Sequence, residues 1–129
     1  MKRSKSSRRW VADHEDDENV RRARSEGFRS RASYKLLEID DKFHILRAGA
    51  LVVDLGAAPG GWSQIAVKRV GRAGRVIALD ILKIEPIEGV EIIHGDFTED
   101  SSLQGLLELT GESQVDLVIS DMAPNLSGM

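Results

Sequence analysis

Three aspartates in this 129-residue chain each close a short apolar run: Asp80 after residues 75–79, Asp96 after 90–94, and Asp121 after 115–120. Runs of this length and composition read as buried strands. A carboxylate at the carboxyl tip of a parallel strand faces the crevice where open α/β sheets take their ligands. Asp80 is placed to accept both hydroxyls of a ribose. Asp96, in Gly95-Asp96-Phe97, can accept the exocyclic amine of an adenine, with Phe97 packed near the base. Its other reading is helix N-capping, because a helical stretch begins soon after. Asp121 opens Asp121-Met122-Ala123-Pro124-Asn125, and an acid followed by a Pro-containing loop is an active-site shape.

A fourth strand tip carries a different chemistry. Residues 51–55 run into Gly56-Ala57-Ala58-Pro59-Gly60-Gly61, and Trp62-Ser63-Gln64 onward has helical spacing. A strand that turns sharply into a helix gathers backbone N–H groups at the helix's positive end. Small residues let a ligand approach that backbone closely. The dinucleotide fingerprint aligned from Gly56 asks for Gly at positions 58 and 61. Position 58 is Ala, and Pro59 removes a donor. A pyrophosphate is therefore served less well than a ligand with a sugar and an amino-acid tail, such as S-adenosylmethionine.

The elements that must position these groups follow from the pattern. Residues 51–55, 75–79, 90–94 and 115–120 are predicted strands, with helices over 61–70 and 101–110. Trp62, Ile65 and Ala66 share one face of the first helix. Leu103, Leu106 and Leu107 share one face of the second. Ahead of them, Ser30 can cap a helix running to about Asp41, with Ala32, Leu36 and Ile39 on one face and Tyr34 in the core. Arg29, Arg31 and Lys35 fall near its start, where cations oppose the macrodipole. That mild cost points to a use, and phosphate contact is the simplest; plain surface charge is the alternative. His44 reads as a rim residue and His94 as a strand residue. An acidic stretch at 13–18, then Arg21, Arg22 and Arg24 before Gly27, suits a surface helix with a thin apolar face of Val20 and Ala23.

Charge is uneven along the chain. Residues 1–47 carry 13 Lys+Arg against 9 Asp+Glu, and residues 48–129 carry 5 against 12. Residues 1–9, basic and Ser-rich, read as a disordered tail, and Trp10 after it reads as an anchor packed on the domain or as a ring that stacks on a base. A basic arm on an acidic body suggests a polyanion partner. The chain has no Cys, so it has neither a disulfide framework nor a thiolate metal site, and no metal site is expected. No apolar run reaches membrane-spanning length. These features fit a cytoplasmic protein. The division expected is a basic arm and surface helix over 1–29 and an incomplete α/β domain over 30–129. The fourth strand has no crossover helix after it, so a fragment, or a chain that needs a partner, is expected.

Four of these motifs occur in order: Ser30-Arg31-Ala32-Ser33-Tyr34-Lys35-Leu36, the loop from Asp54 to Gln64, Gly95-Asp96-Phe97, and Ser120-Asp121-Met122-Ala123-Pro124-Asn125. Together they resemble the FtsJ-like (RrmJ-like) ribose 2'-O-methyltransferases, and within them the bacterial branch that acts on a uridine of large-subunit ribosomal RNA. The resemblance implies a Rossmann-like S-adenosylmethionine-dependent methyltransferase fold, here truncated after the fourth strand. It implies donor contacts at Gly60, Trp62, Asp80, Asp96 and Asp121. It also implies a catalytic Lys-Asp-Lys-Glu set, in which Lys35 matches the first lysine and Asp121 the aspartate. The second lysine and the glutamate would lie beyond Met129. The implied partners are ribosomal RNA and the large ribosomal subunit, with a monomer at full length.

The reaction implied is attack of a ribose 2'-oxygen on a sulfonium methyl group. Asp121 would orient a lysine amine, and Lys35 would position the substrate. Two other readings stand beside it. One is a non-catalytic RNA-binding module that uses the basic arm. The other is a nicotinamide-dependent oxidoreductase, which the Ala58-Pro59 departure disfavours.

Overall fold

The computed structural model describes residues 21–111 and 113–121. Residues 21–25 are helical. Then follow α1 (Ser33–Phe43), β1 (Leu51–Leu55), α2 (Gly61–Val70), β2 (Arg75–Asp80), β3 (Val90–His94), α3 (Asp100–Thr110) and β4 (Leu117–Ser120). The expectations for residues 1–9, Trp10, residues 13–18, Val20 and residues 122–129 lie outside the described residues.

The four strands form one parallel sheet in the order β3-β2-β1-β4. Strands β1, β2 and β3 progress in one direction, and β4 is added on the other side of β1. That reversal is a topological switch point, where open sheets place their ligand crevice. Register then sets the chemistry. Leu55 pairs with Leu79 and with Ser120, and Asp80 pairs with His94. The tips carrying Gly56, Asp80, Gly95 and Asp121 therefore lie side by side.

Parallel strands are buried on both faces and so carry continuous apolar runs. Val52 and Val76 point to the face covered by α1 and α2, where they pack with Leu36, Leu46, Trp62, Ile65, Ala66, Val70 and Ile119. Leu51, Val53 and Ile77 point the other way, against Leu55, Ile93 and Leu106 of α3. Among the α3 leucines only Leu106 joins that cluster. Leu103 and Leu107 are 48% and 53% exposed, and Val118 of β4 is 56% exposed. The apolar face expected of α3 is thus only partly used by the described residues.

Helix α1 starts later than expected, and it keeps Leu36 in the core with Ala32 and Leu37 packed against it. Ser33 and Asp40 are buried as well, which was not expected, and Ile39 is half-buried. Asp40 can be buried because one carboxylate oxygen accepts the Leu46 N–H at 2.8 Å and the other accepts from Arg69 at 2.8 Å. The hydroxyl of Ser30 accepts the Ala32 N–H at 3.1 Å, which closes a turn just before the helix. Tyr34 is half-buried, with its ring edge-on to Phe28 at 5.5 Å and Arg22 over its face at 4.2 Å. Ala23 is buried and Phe28 packs on the core, which fastens residues 21–29 to the sheet. No helix among the described residues is long and apolar enough to cross a membrane.

Candidate active site

The loop after β1 is shaped from both ends. Gly56 and Ala57 donate their N–H groups to the Leu79 carbonyl at 2.8 and 3.2 Å, so the loop leaves β1 across the tip of β2. Gly60 has φ of 113° at the start of α2, and a Cβ there would lie 2.5 Å from Ile87 Cδ1. The positive φ demands glycine, and a side chain there would also displace the end of Ile87. A Cβ on Gly61 would lie 2.6 Å from Ser33 Oγ, so this position brings the starts of α1 and α2 into contact. The Gln64 N–H is the first to bond back into the helix, onto Gly60 O at 3.0 Å. The N–H groups of Gly61, Trp62 and Ser63 are left at the positive end.

Trp62 lies on the buried face of α2, as its spacing with Ile65 and Ala66 predicts. Its indole is buried in the core and donates Nε1–H to Ala32 O at 2.7 Å. What Trp62 presents to the loop is its backbone N–H. Gly60 and Trp62 stand at the end of the loop, while the three tip aspartates share one cavity.

That cavity has a volume of about 440 Å³ and is lined by Gly56, Ala58, Asp80, Ile81, Leu82, Asp96, Phe97 and Asp121. Among the described residues, its charged lining is three carboxylates with no Lys or Arg. Asp80 is fixed by two backbone donors: Oδ2 accepts Ala58 N–H at 2.8 Å and Oδ1 accepts Leu82 N–H at 2.9 Å. Each oxygen keeps a second lone pair. Asp96 Oδ1 accepts both the N–H and the hydroxyl of Thr98, at 2.9 and 2.7 Å. The side-chain and backbone bonds from Thr98 hold the Asp96 carboxyl below the usual carboxylate range. Asp96 therefore ties a turn and does not cap α3, whose N-cap is Glu99. His94 Nε2 lies 2.6 Å from Ile81 O and holds the cavity wall to β3.

A second cavity, of about 500 Å³, lies between α1 and the tip of β4. Arg22, Ser30, Arg31, Ala32, Tyr34 and Asp121 line it. Asp121 stands in both walls. Desolvation pushes its carboxyl above the usual range, and the positive charge of Lys35 opposes that rise. Lys35 itself is exposed on the first turns of α1. The structure thus brings Lys35 and Asp121 into electrostatic reach of each other. Arg29 is separated from Arg31 and Lys35, because its guanidinium is held by backbone carbonyls of Pro59, Glu85 and Pro86.

Beneath the cavities lies Asp54 of β1, fully buried. Ser63 Oγ–H donates to its Oδ2 at 2.7 Å, and Oδ1 has no partner among the described residues. Burial pushes the Asp54 carboxyl up to about 7; the Ser63 bond opposes this, and the charges of Asp121 and Asp80 add to it.

Sequence reasoning missed several contributors. Ile81 and Leu82 are 60% and 64% exposed and wall the first cavity. An apolar pair directly after a strand-tip acid was the available signal. Arg22 and Tyr34 wall the second cavity, and their pairing across 12 positions carries no sequence signal. No cluster of His, Cys, Asp and Glu suited to a metal occurs among the described residues.

Comparison with known proteins bears on the family and the fold. The family model described as FtsJ-like methyltransferase matches residues 28–129. The protein named "Ribosomal RNA large subunit methyltransferase E" from Cellvibrio japonicus is 58% identical over 129 residues, and its namesake from Dechloromonas aromatica is 59% identical. All of this chain is covered in both matches, and it spans 61% and 63% of those proteins' lengths. A crystal structure from Plasmodium falciparum, described as a ribosomal RNA methyltransferase, matches with a TM-score of 0.70 at 30% identity. That match covers 79% of this chain and 60% of the other. The parallel sheet with helices on both faces is the Rossmann-like methyltransferase fold expected from the motifs. The chain belongs to the FtsJ-like methyltransferase family.

Proposed function

We propose that this chain forms the donor-binding portion of an S-adenosylmethionine-dependent ribose 2'-O-methyltransferase. Its substrate is a uridine of large-subunit ribosomal RNA, and it works in the cytoplasm. The observation that carries this reading is Asp121, which stands in the walls of both cavities. One cavity is lined by three carboxylates and suits a cationic ligand. The other is flanked by Arg22 and Arg31 and suits a phosphodiester. The relatives named as ribosomal RNA methyltransferases support the substrate class.

The residues present fit the donor. Asp80 would accept the ribose hydroxyls with the lone pairs that Ala58 and Leu82 do not use. Asp96 and Phe97 would face the adenine. The N–H groups at the start of α2 would meet the carboxylate of the amino-acid tail. A pyrophosphate, by contrast, would face three carboxylates and a loop with one donor fewer at Pro59. When bound, S-adenosylmethionine supplies a methyl group on a positively charged sulfur.

Asp121 would place negative charge beside that positive centre, and it feels the positive charge of Lys35. Lys35 would steady negative charge as it develops on the 2'-oxygen. The attacking hydroxyl must also lose its proton, and a lysine takes it only in the neutral form. Among the four residues of the implied set, Lys35 and Asp121 are the two that match positions of this sequence.

Calorimetric titration of the chain with S-adenosylmethionine and with NAD tests the reading. The expected result is binding of the first, weakened about tenfold or more in Asp80→Ala as charge-assisted hydrogen bonds are lost. Tighter binding of NAD, or wild-type donor affinity in Asp80→Ala, would overturn it.

A further inference from the structure

Arg29 carries a set of bonds that neither donor nor RNA contact explains. Its Nη1 donates to Pro59 O at 3.2 Å and to Glu85 O at 2.6 Å, and its Nη2 donates to Pro86 O at 2.6 Å. Its backbone N–H donates to Gln64 Oε1 at 2.8 Å, and Gln64 Nε2 donates to Gly27 O at 3.1 Å. Two loops are therefore gripped at once. One is the loop whose Gly56 and Ala58 wall the donor cavity; the other follows β2, and its Ile81 and Leu82 form another wall.

On the inside these loops are already joined, because Asp80 accepts the N–H of Ala58 and of Leu82. Arg29 joins them again on the outside. Ile87 reinforces the contact, since its Cδ1 occupies the space that a side chain on Gly60 would need. Only a planar guanidinium can hold carbonyls in separate directions with a fixed fork; an ammonium is a single point of charge.

We propose that Arg29 is a positioning residue for donor binding. It sets the separation of the two loops that wall the donor cavity, and through Gln64 it ties them to the segment leading to Lys35. The proposal rests on the donor reading above.

The test compares Arg29→Lys and Arg29→Ala with the wild-type chain of 129 residues. Arg69→Ala serves as a control, because it breaks an ion pair with Asp40 remote from the loops. S-adenosylmethionine affinity is measured by calorimetry below the unfolding temperature of every variant. Amide hydrogen exchange is read over residues 56–60 and 81–88 without ligand. Both Arg29 variants should bind the donor about tenfold more weakly and exchange faster in both loops. Arg69→Ala should lower the melting temperature with donor affinity unchanged. If Arg29→Ala fails to fold, Arg29→Lys carries the test. Wild-type affinity and exchange in the Arg29 variants would overturn the proposal and leave the donor reading standing. Failure of the wild-type chain to bind S-adenosylmethionine would overturn the donor reading, and the proposal with it. Weaker RNA binding with unchanged donor affinity would make Arg29 a phosphate contact instead.

Discussion

Replacing Asp54 by Asn should make the protein more stable at neutral pH, and by an amount that grows with pH. Asp54 is fully buried, with one oxygen bonded to Ser63 and the other without a partner among the described residues. Burial raises its carboxyl from the ordinary value to about 7. The folded state therefore binds its proton more tightly than the unfolded state does. Stability from this group is fully present below the unfolded value, near pH 4, and is lost as pH rises through about 7. With an unfolded value of about 3.9, the loss is about 0.5 kcal/mol at pH 4, about 1.5 at pH 5 and about 4 at pH 8. Asn is uncharged, and its amide oxygen can still accept from Ser63. The stability difference between Asp54→Asn and wild type should thus rise by about 3–4 kcal/mol from pH 4 to pH 8. Urea unfolding at each pH measures it, and carboxylates far from the site cancel in the difference. A flat difference, or one that falls with pH, would refute the reasoning.

Other outcomes follow from single contacts. Gly61→Ala places a Cβ 2.6 Å from Ser33 Oγ and 3.0 Å from Ser30 Cβ, so it should cost about 1–3 kcal/mol by thermal or urea unfolding. Wild-type stability in that variant would show that the contact between the starts of α1 and α2 is looser than described. Arg69→Ala leaves the buried Asp40 carboxylate with only the Leu46 N–H and should cost about 1–3 kcal/mol. Asp40→Asn with Arg69→Ala should cost less than Arg69→Ala alone, because no unpaired charge is then left buried; equal costs would contradict that explanation.

The sheet was readable because its signals are local. β1, α2 and β3 have the bounds that their apolar runs predict, and the tips of β2 and β4 place Asp80 and Asp121 as expected. Parallel register then follows from burial on both faces, since a slip of one residue would reverse the sets headed by Val52 and Leu51. Features that depend on a distant partner were not readable. Asp40 lies four residues after Leu36 on the same face, but nothing near it announces Arg69 and the Leu46 N–H, which make burial of its carboxylate tolerable. Trp62 reads with Ile65 and Ala66 as one apolar helix face, but the Ala32 carbonyl that accepts its indole N–H lies 30 positions away and carries no sequence signal. Arg29 reads with Arg31 and Lys35 as one basic cluster. Its partners lie 30, 56 and 57 positions away, and nothing at residue 29 announces them. The second cavity was invisible for the same reason, since its floor and rim come from residues 22–34 and from residue 121.

The most direct check is amide and side-chain chemical-shift mapping of this chain as S-adenosylmethionine is added. Shifts should concentrate at Gly56, Ala58, Asp80, Ile81, Leu82, Asp96 and Asp121, with the wall around Phe43, Arg47 and Asp116 at the opposite end of the sheet unmoved. Shifts centred on that opposite end, or none at saturating donor, would contradict a donor held across the tips of β1, β2, β3 and β4.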